Sequence, residues 1–383
     1  MMRKLTISCS LVALAAAGTA SAFEFEAGDT TVSLEGYAKL DMIYDVNDRL
    51  GPFATYSNIG TDTSEGHYRM HAKQSRFGLR TVTPTSQGDL TLFVNMDFLG
   101  GDDEGSRGDP RLREFYGEWN GWLAGRTWSN FNTFVGTPFT LDFTNAIGQP
   151  GQDLATQLRY TFDNGVAVAL EAPDDVVSGW SSPRQQFDED GDPLLEDRQK
   201  SRVPDLTVSY EGAQGVVNYA AGAMLRELRY DDSEGDDDTL GWGVFGAANT
   251  TFDTGTTIRG AFTYGDGIGN YNYFQPQGPA YIHDGDLETI EAYGLTLSAS
   301  QPAGPGEFTL AWAMAKADVD DLVDDLDPEA SPDETWQSVF FNYAFSPVDR
   351  VTVGGEIGWH KRELQDGSDD DAVRLQASFI YDF

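Results

Sequence analysis

Residues 32–44 read VSLEGYAKLDMIY, and the spacing within that stretch decides the fold. Val32, Leu34, Gly36, Ala38, Leu40, Met42 and Tyr44 alternate with Ser33, Glu35, Tyr37, Lys39 and Asp41. A period of two sends these sets to opposite faces of a strand, whereas helical spacing would put charge on every apolar face. The pattern returns in Leu90, Leu92, Val94, Met96 and Phe98, set against Asp89, Thr91, Asn95 and Asp97. It also closes the chain, where Val373, Leu375, Ala377, Phe379, Tyr381 and Phe383 oppose Arg374, Gln376, Ser378 and Asp382.

Between such strands the connectors alternate in length. Short ones fall at 83–88, 120–121, 163–165, 212–215, 252–255, 301–306 and 346–349. Asn120-Gly121 is the strongest hairpin signal, because a type I′ turn needs positive φ at both central residues. Long ones fall at about 46–67, 100–110, 129–153, 173–203, 230–239, 265–287, 317–334 and 363–370. This rhythm predicts an all-β fold: a 16-stranded antiparallel transmembrane β-barrel with long extracellular loops and short periplasmic turns. Sixteen strands of ~12 residues, eight loops of ~17 and seven turns of ~4 need ~356 residues, close to the 361 that follow residue 22. A β-sandwich alternates too, but has little use for sixteen strands or for loops long at one end only. Aromatic residues near strand ends (Tyr44, Trp119, Trp122, Tyr160, Tyr210, Tyr264, Tyr293 and Tyr381) fit girdles at the membrane interfaces.

Composition bounds the function. The chain has 383 residues, with 62 Asp+Glu against 25 Lys+Arg and a net charge of −37. That balance repels phosphate backbones, so nucleic acid is excluded as a partner. Residues 1–22 carry Arg3 and Lys4, an apolar run from Leu5 to Ala17 and the small-residue pattern Ala20-Ser21-Ala22, the layout of a signal peptide. The barrel is then expected over 23–383, and with Cys9 inside the leader it has neither disulfide nor thiol chemistry. No later apolar run reaches the ~18–20 residues of a transmembrane helix.

Acids crowd the long connectors, at 102–104, 188–197, 231–238, 318–334 and 369–371. They read as a hydrated outer rim; the sharper alternative is loosely bound divalent cations bridging the loops to each other or to lipopolysaccharide. Asp188-Glu189-Asp190-Gly191-Asp192 starts like a calcium loop, but Pro193 and Gln199 stand where an EF-hand needs Gly and Glu. No cofactor is expected.

Cations fall differently. Lys39, Arg76, Arg80, Arg126 and Arg159 lie on the polar face of the first six strands, with Arg113 nearby. Lipid tolerates charge poorly at mid-depth, so the polar face is the lumen. With neighbouring strands ~5 Å apart, these side chains stack into one cationic patch, partly paired with Glu35, Asp41, Asp97, Glu114 and Glu118. Lys73 has the parity of outward Phe77, which requires a bulge, a subunit contact or a place above the bilayer. The third connector is aromatic and apolar, with Trp128, Phe131, Phe134, Phe139, Leu141, Phe143 and Ile147, and its only charges are Asp142 and Asp153. Folded inward, it narrows the bore and sets Asp142 across from the arginines, a charged constriction that sorts solutes. Packing over a subunit contact is the alternative.

Ser75-Arg76-Phe77-Gly78-Leu79-Arg80 is similar to the second-strand motif of general porins, and Tyr381-Asp382-Phe383 to the C-terminal aromatic signal read by the barrel-assembly machinery. The stretches 36–41, 117–121, 123–131 and 140–143 resemble the DcaP-type porins of the Gram-negative outer membrane. That resemblance, concentrated between residues 36 and 160, implies a homotrimer of sixteen-stranded barrels. It also implies a diffusion channel for small anionic solutes, dicarboxylic or aromatic acids. The acidic loops depart from the resemblance and favour the alternative of a non-selective or cation-preferring pore. An outer-membrane hydrolase would need a nucleophile, a base and an orienting group within reach. The imidazoles at hand, His67, His71, His283 and His360, read as surface residues, and no third ligand completes a metal site with His67 and His71. No enzyme is expected. A structural or adhesive barrel with a filled bore is the remaining alternative.

Overall fold

The structure, a computed structural model, describes residues 23–61, 65–101, 107–151, 154–173, 201–231, 235–326 and 331–383. The expected leader (1–22) and the acidic stretch 188–197 lie outside the described residues. The first half of the chain forms β1 (Phe23–Ala27), β2 (Thr30–Asp45), β3 (His67–His71), β4 (Arg76–Thr85), β5 (Gly88–Gly100), β6 (Asp109–Trp119), β7 (Trp122–Trp128), β8 (Leu154–Thr161), β9 (Val166–Glu171) and β10 (Asp205–Gln214). The second half forms β11 (Val217–Asp231), β12 (Asp236–Thr251), β13 (Thr257–Asp266), β14 (Ala280–His283), β15 (Asp286–Thr289), β16 (Glu291–Ala303), β17 (Gly306–Ala317), β18 (Asp333–Val348), β19 (Val351–Leu364) and β20 (Asp369–Asp382).

Seventeen of these segments make the sixteen strands of the wall. β3 and β4 are two halves of one wall strand, pairing with Asp41–Asp45 and Thr31–Tyr37 of β2 respectively. β1 flanks the start of β2, and β14 and β15 form a separate hairpin within a loop. Every other neighbour is antiparallel, and β20 returns to β2, with Asp382 opposite Tyr37 and Arg374 opposite Asp45, which closes the barrel. The Phe383 N–H donates to the Gly36 carbonyl at the seam. Period two is plain in the faces: Leu40 and Tyr44 are exposed outside, while Lys39, Asp41, Ile43 and Asp45 are buried inside. At the 120–121 turn φ is 50° at Asn120 and 84° at Gly121, as the type I′ reading demands.

Acidic residues expected in loops, Asp231, Asp236–Asp238 and Asp369–Asp371, are strand instead. β11 and β12 run on to Asp231 and Asp236 because Arg229 braces the hairpin, 2.6 Å from Asp236 and 3.1 Å from Asp238. Asp369–Asp371 belong to β20, with Asp369 2.9 Å from Lys361. Opposite charges across a strand pair stabilise it, so the acids extend the wall instead of ending it.

The apolar core lies inside the bore. Leu50, Ala54, Tyr56 and Ile59 of loop 1 (46–66), Ala146 and Ile147 of loop 3 (129–153) and Phe274 of loop 6 (267–290) pack together on Ala313, Ala315, Trp336 and Ala372 of the wall. Phe131, Ile268 and Tyr271 form a second cluster with Met224 and Phe245. Loop 3 approaches the wall backbone to backbone: a Cβ on Gly148 would lie 2.0 Å from the Met314 carbonyl oxygen, and one on Gly294 2.0 Å from that of Gly148. Only glycine permits that seat.

Candidate functional site

Four arginines rise from β4 and β6 onto one stretch of inner wall. Alternation in β6 is broken by a register shift between the pairs Asn95/Glu114 and Met96/Leu112. The bulge brings Arg113 and Glu114 inward together, while Leu112 and Phe115 face out. Asp97 is buried beneath this patch; it accepts two bonds from Arg111 (3.0 and 2.7 Å) and one from Arg113 (3.3 Å). Arg76 lies within electrostatic reach of Arg113. Asp97 is thus shared between Arg111 and Arg113. Glu114 is taken up by Asn95 (3.0 Å) and Thr127 (2.6 Å). Arg80 differs, sharing a half-exposed pair with Glu35 at 2.9 Å.

Aromatic rings flank every one of these guanidiniums. Phe143, at the tip of loop 3, is 5.6 Å from Arg111 and 5.5 Å from Arg113, and Trp128 is 5.3 Å from Arg113. Tyr37 is 5.6 Å from Arg76 and Phe93 4.3 Å from Arg80. A cation over a ring face is held by the ring quadrupole while its edges stay free to donate.

The other flank of the tip is tied to the wall. The Leu141 carbonyl accepts from Lys39 Nζ (2.7 Å) and Gln376 Nε2 (2.9 Å). The backbone N–H groups of Leu141 and Asp142 donate to Glu356 at 2.8 and 2.9 Å. Arg374 donates to Asp142 (2.7 Å), to both oxygens of Asp45 (2.7 and 3.0 Å) and to the Gly51 carbonyl (2.7 Å). Burial alone would raise the Asp142 carboxyl, but Arg374 and the Thr144 N–H hold it below its ordinary value.

The residues singled out from the sequence thus separate. Arg76, Arg80 and Arg113 share the inner wall. Arg159 faces inward opposite Leu123 and Ala169, close to the 163–165 turn. Lys39 is buried and holds loop 3 instead of lining the bore. Asp142 does not stand across open space from the arginines; it is buried against Arg374. Arg126 requires a correction: it pairs with outward Phe115 and Thr156 and shares the parity of exposed Trp122, so it lies on the outer face. Lys73 sits in the break between β3 and β4, buried, as the bulge reading allows.

Arg111 and Arg374 were missed. Arg374 was visible on the polar face of the last strand, but barrel closure is what sets it beside β2. Two histidines read as surface residues are buried: His71 lies 3.2 Å from the Pro52 carbonyl, and His360 3.2 Å from the Tyr56 hydroxyl. His283 pairs with Asp325 at 2.9 Å. Among the described residues no three His, Cys, Asp or Glu side chains come together to hold a metal.

The reachable part of the bore lies to one side. Inward positions of β16 to β20 are buried, among them Thr296, Ala313, Asn342, Glu356 and Gln376. Glu35, Tyr37, Arg76, Arg80, Arg111 and Tyr116, on the adjoining wall formed by β2, β4 and β6, stay partly exposed.

Residues 14–275 match the family model described as DcaP outer membrane protein. Among solved structures the chain is similar to the outer membrane channel DcaP of Acinetobacter baumannii, with 25% identity, a TM-score of 0.81, and 95% of this chain and 100% of that one covered. It is also similar to an anion-selective porin from Comamonas acidovorans, at 13% identity and TM-score 0.57 over 92% and 100% of the two chains. The trimer form of OmpT from Vibrio cholerae gives 12% and 0.54 over 93% and 100%. The last two likenesses concern the fold alone. No curated protein sequence matches.

Proposed function

The chain belongs to the DcaP outer membrane protein family, channels of the Gram-negative outer membrane, and from that premise we propose that it passes small anions, dicarboxylic or aromatic acids, by passive diffusion. The observation that carries this reading is the wall patch where Arg76, Arg111 and Arg113 gather over one buried carboxylate, Asp97. A solute carboxylate reaching the lumen side meets guanidinium edges, while the acid that balances them is out of reach. Tyr37, Trp128 and Phe143 add ring faces beside those edges, which suits flat acids. Transport requires only binding weak enough to release. We place the protein in the membrane as a homotrimer, exported by its first 22 residues and surrounded by lipid and lipopolysaccharide.

Reversal potential in a salt gradient across a planar bilayer tests the reading. An anion-sided value, with current blocked by an aromatic dicarboxylate, is expected. A cation-sided value would instead assign control to the acidic rim.

A further inference from the structure

We propose that residues 50–59 of loop 1 form a second constriction element, seated in the bore and locked to loop 3 through Arg374; the inference rests on the channel reading above. In a chain with 62 acidic residues, Leu50–Ile59 carries no charge at all. Leu50, Ala54, Tyr56 and Ile59 are each 1% exposed or less, which a loop lying over the mouth would not show. Their contacts are with inward side chains in the loop-side part of the wall. The Tyr56 ring stacks on Trp336 of β18 at 5.2 Å, and its hydroxyl lies 3.2 Å from His360 of β19. Leu50 N–H donates to Asp45 (3.0 Å), and Arg362 donates to the Ile59 carbonyl (3.0 Å).

Loop 1 also determines where loop 3 sits. Asp142 Oδ1 accepts from the Ala54 N–H at 3.3 Å, and Thr144 Oγ1 donates to the Ala54 carbonyl at 2.9 Å. One guanidinium, that of Arg374, spans Gly51 of loop 1, Asp142 of loop 3 and Asp45 of the wall. Phe53 then lies 6.2 Å from Phe143, the ring that faces Arg111 and Arg113. Loop 1 thus backs a loop 3 side chain that borders the arginine patch. Withdrawing it removes volume from the bore and frees Phe143 to recede from the wall.

The experiment uses the full-length protein with Phe53→Ser, Tyr56→Ser and Ile59→Ser combined. Single-channel conductance should rise about twofold or more, and larger uncharged sugars should enter liposomes, while the sign of the reversal potential is kept. Unchanged conductance in a variant that keeps its β-sheet circular dichroism and heat-shifted gel mobility overturns the proposal. Should that variant not fold, Ala54→Cys and Ser57→Cys are labelled separately with a bulky, membrane-impermeant maleimide. Ser57 is exposed and should react quickly, Ala54 slowly; equally fast labelling overturns the proposal. A pore without anion preference that still widens on the triple change would keep this inference and sink the solute reading.

Discussion

Residues 50–59 and 267–282 carry no charged side chain, and 129–151 carries only Asp142; all three segments turn back into the bore and supply its core. Residues 236–238, 320–326 and 369–371, by contrast, are dense in acid and stay on the rim, braced by Arg229 and Lys361 where they join the wall. Both kinds of segment leave the same barrel end, so position along the chain does not separate them. Desolvation does: a carboxylate carried into a packed bore costs several kcal/mol unless a cation meets it there. The single acid of those three inward segments, Asp142, has Arg374 at 2.7 Å.

That contrast can be broken most forcefully at Arg374. Arg374→Ala strands the Asp45 and Asp142 carboxylates and should cost about 3–5 kcal/mol, read as a lower melting temperature in detergent, with noisier current from loosened loops. Equal stability would mean that charge does not govern which loops enter. Next in size is selectivity. Arg76→Ala with Arg111→Ala should move the reversal potential several-fold toward cation permeation, on the order of a tenfold change in permeability ratio if the patch contributes about 1.4 kcal/mol. Asp142→Asn, being already neutralised by Arg374, should move it far less.

Acid gives a smaller effect with a fixed sign. The folded Asp142 carboxyl titrates below its ordinary value of 3.8, so its contribution is present above that value and lost only as pH falls through the depressed one. Asp142→Asn should therefore leave the shape of the conductance–pH curve unchanged from about pH 7 to about pH 4 and alter it only below; a neutral-pH transition abolished by that change would overturn the Asp142 assignment. Smallest of all, Arg126→Ala on the outer face should leave the reversal potential where it was.

Strand number, turn positions and closure were legible because each rests on local signals: alternation, Asn120-Gly121, and the spacing of Gly-rich turns. The site was legible only in part. In β7, Trp122-Leu123-Ala124-Gly125 offers no polar-apolar contrast, so nothing in the sequence marks which face Arg126 takes. In β6 the bulge at Arg113 shifts parity by one, which hid Arg111. Loop 1 and loop 6 carry the same uncharged signal as loop 3, but Asp45, Asp48, Arg49, Asp266 and Asp284 at their flanks masked it. The Arg374–Asp142 bond joins residues 232 apart, and spacing cannot reveal such a pair.

The seam has a consequence for how the pore comes into being. Arg374 and Glu356, which grip loop 3, stand on the last two strands, and residues 374–382 are also the ones that meet 37–45. A chain still short of its final hairpin lacks the Glu356 and Arg374 grip on loop 3 and the Arg374 link from it to loop 1. Contacts so distant in sequence form late, so a half-inserted cylinder leaks before it sieves, and the narrow passage is completed only when the two ends of the polypeptide join.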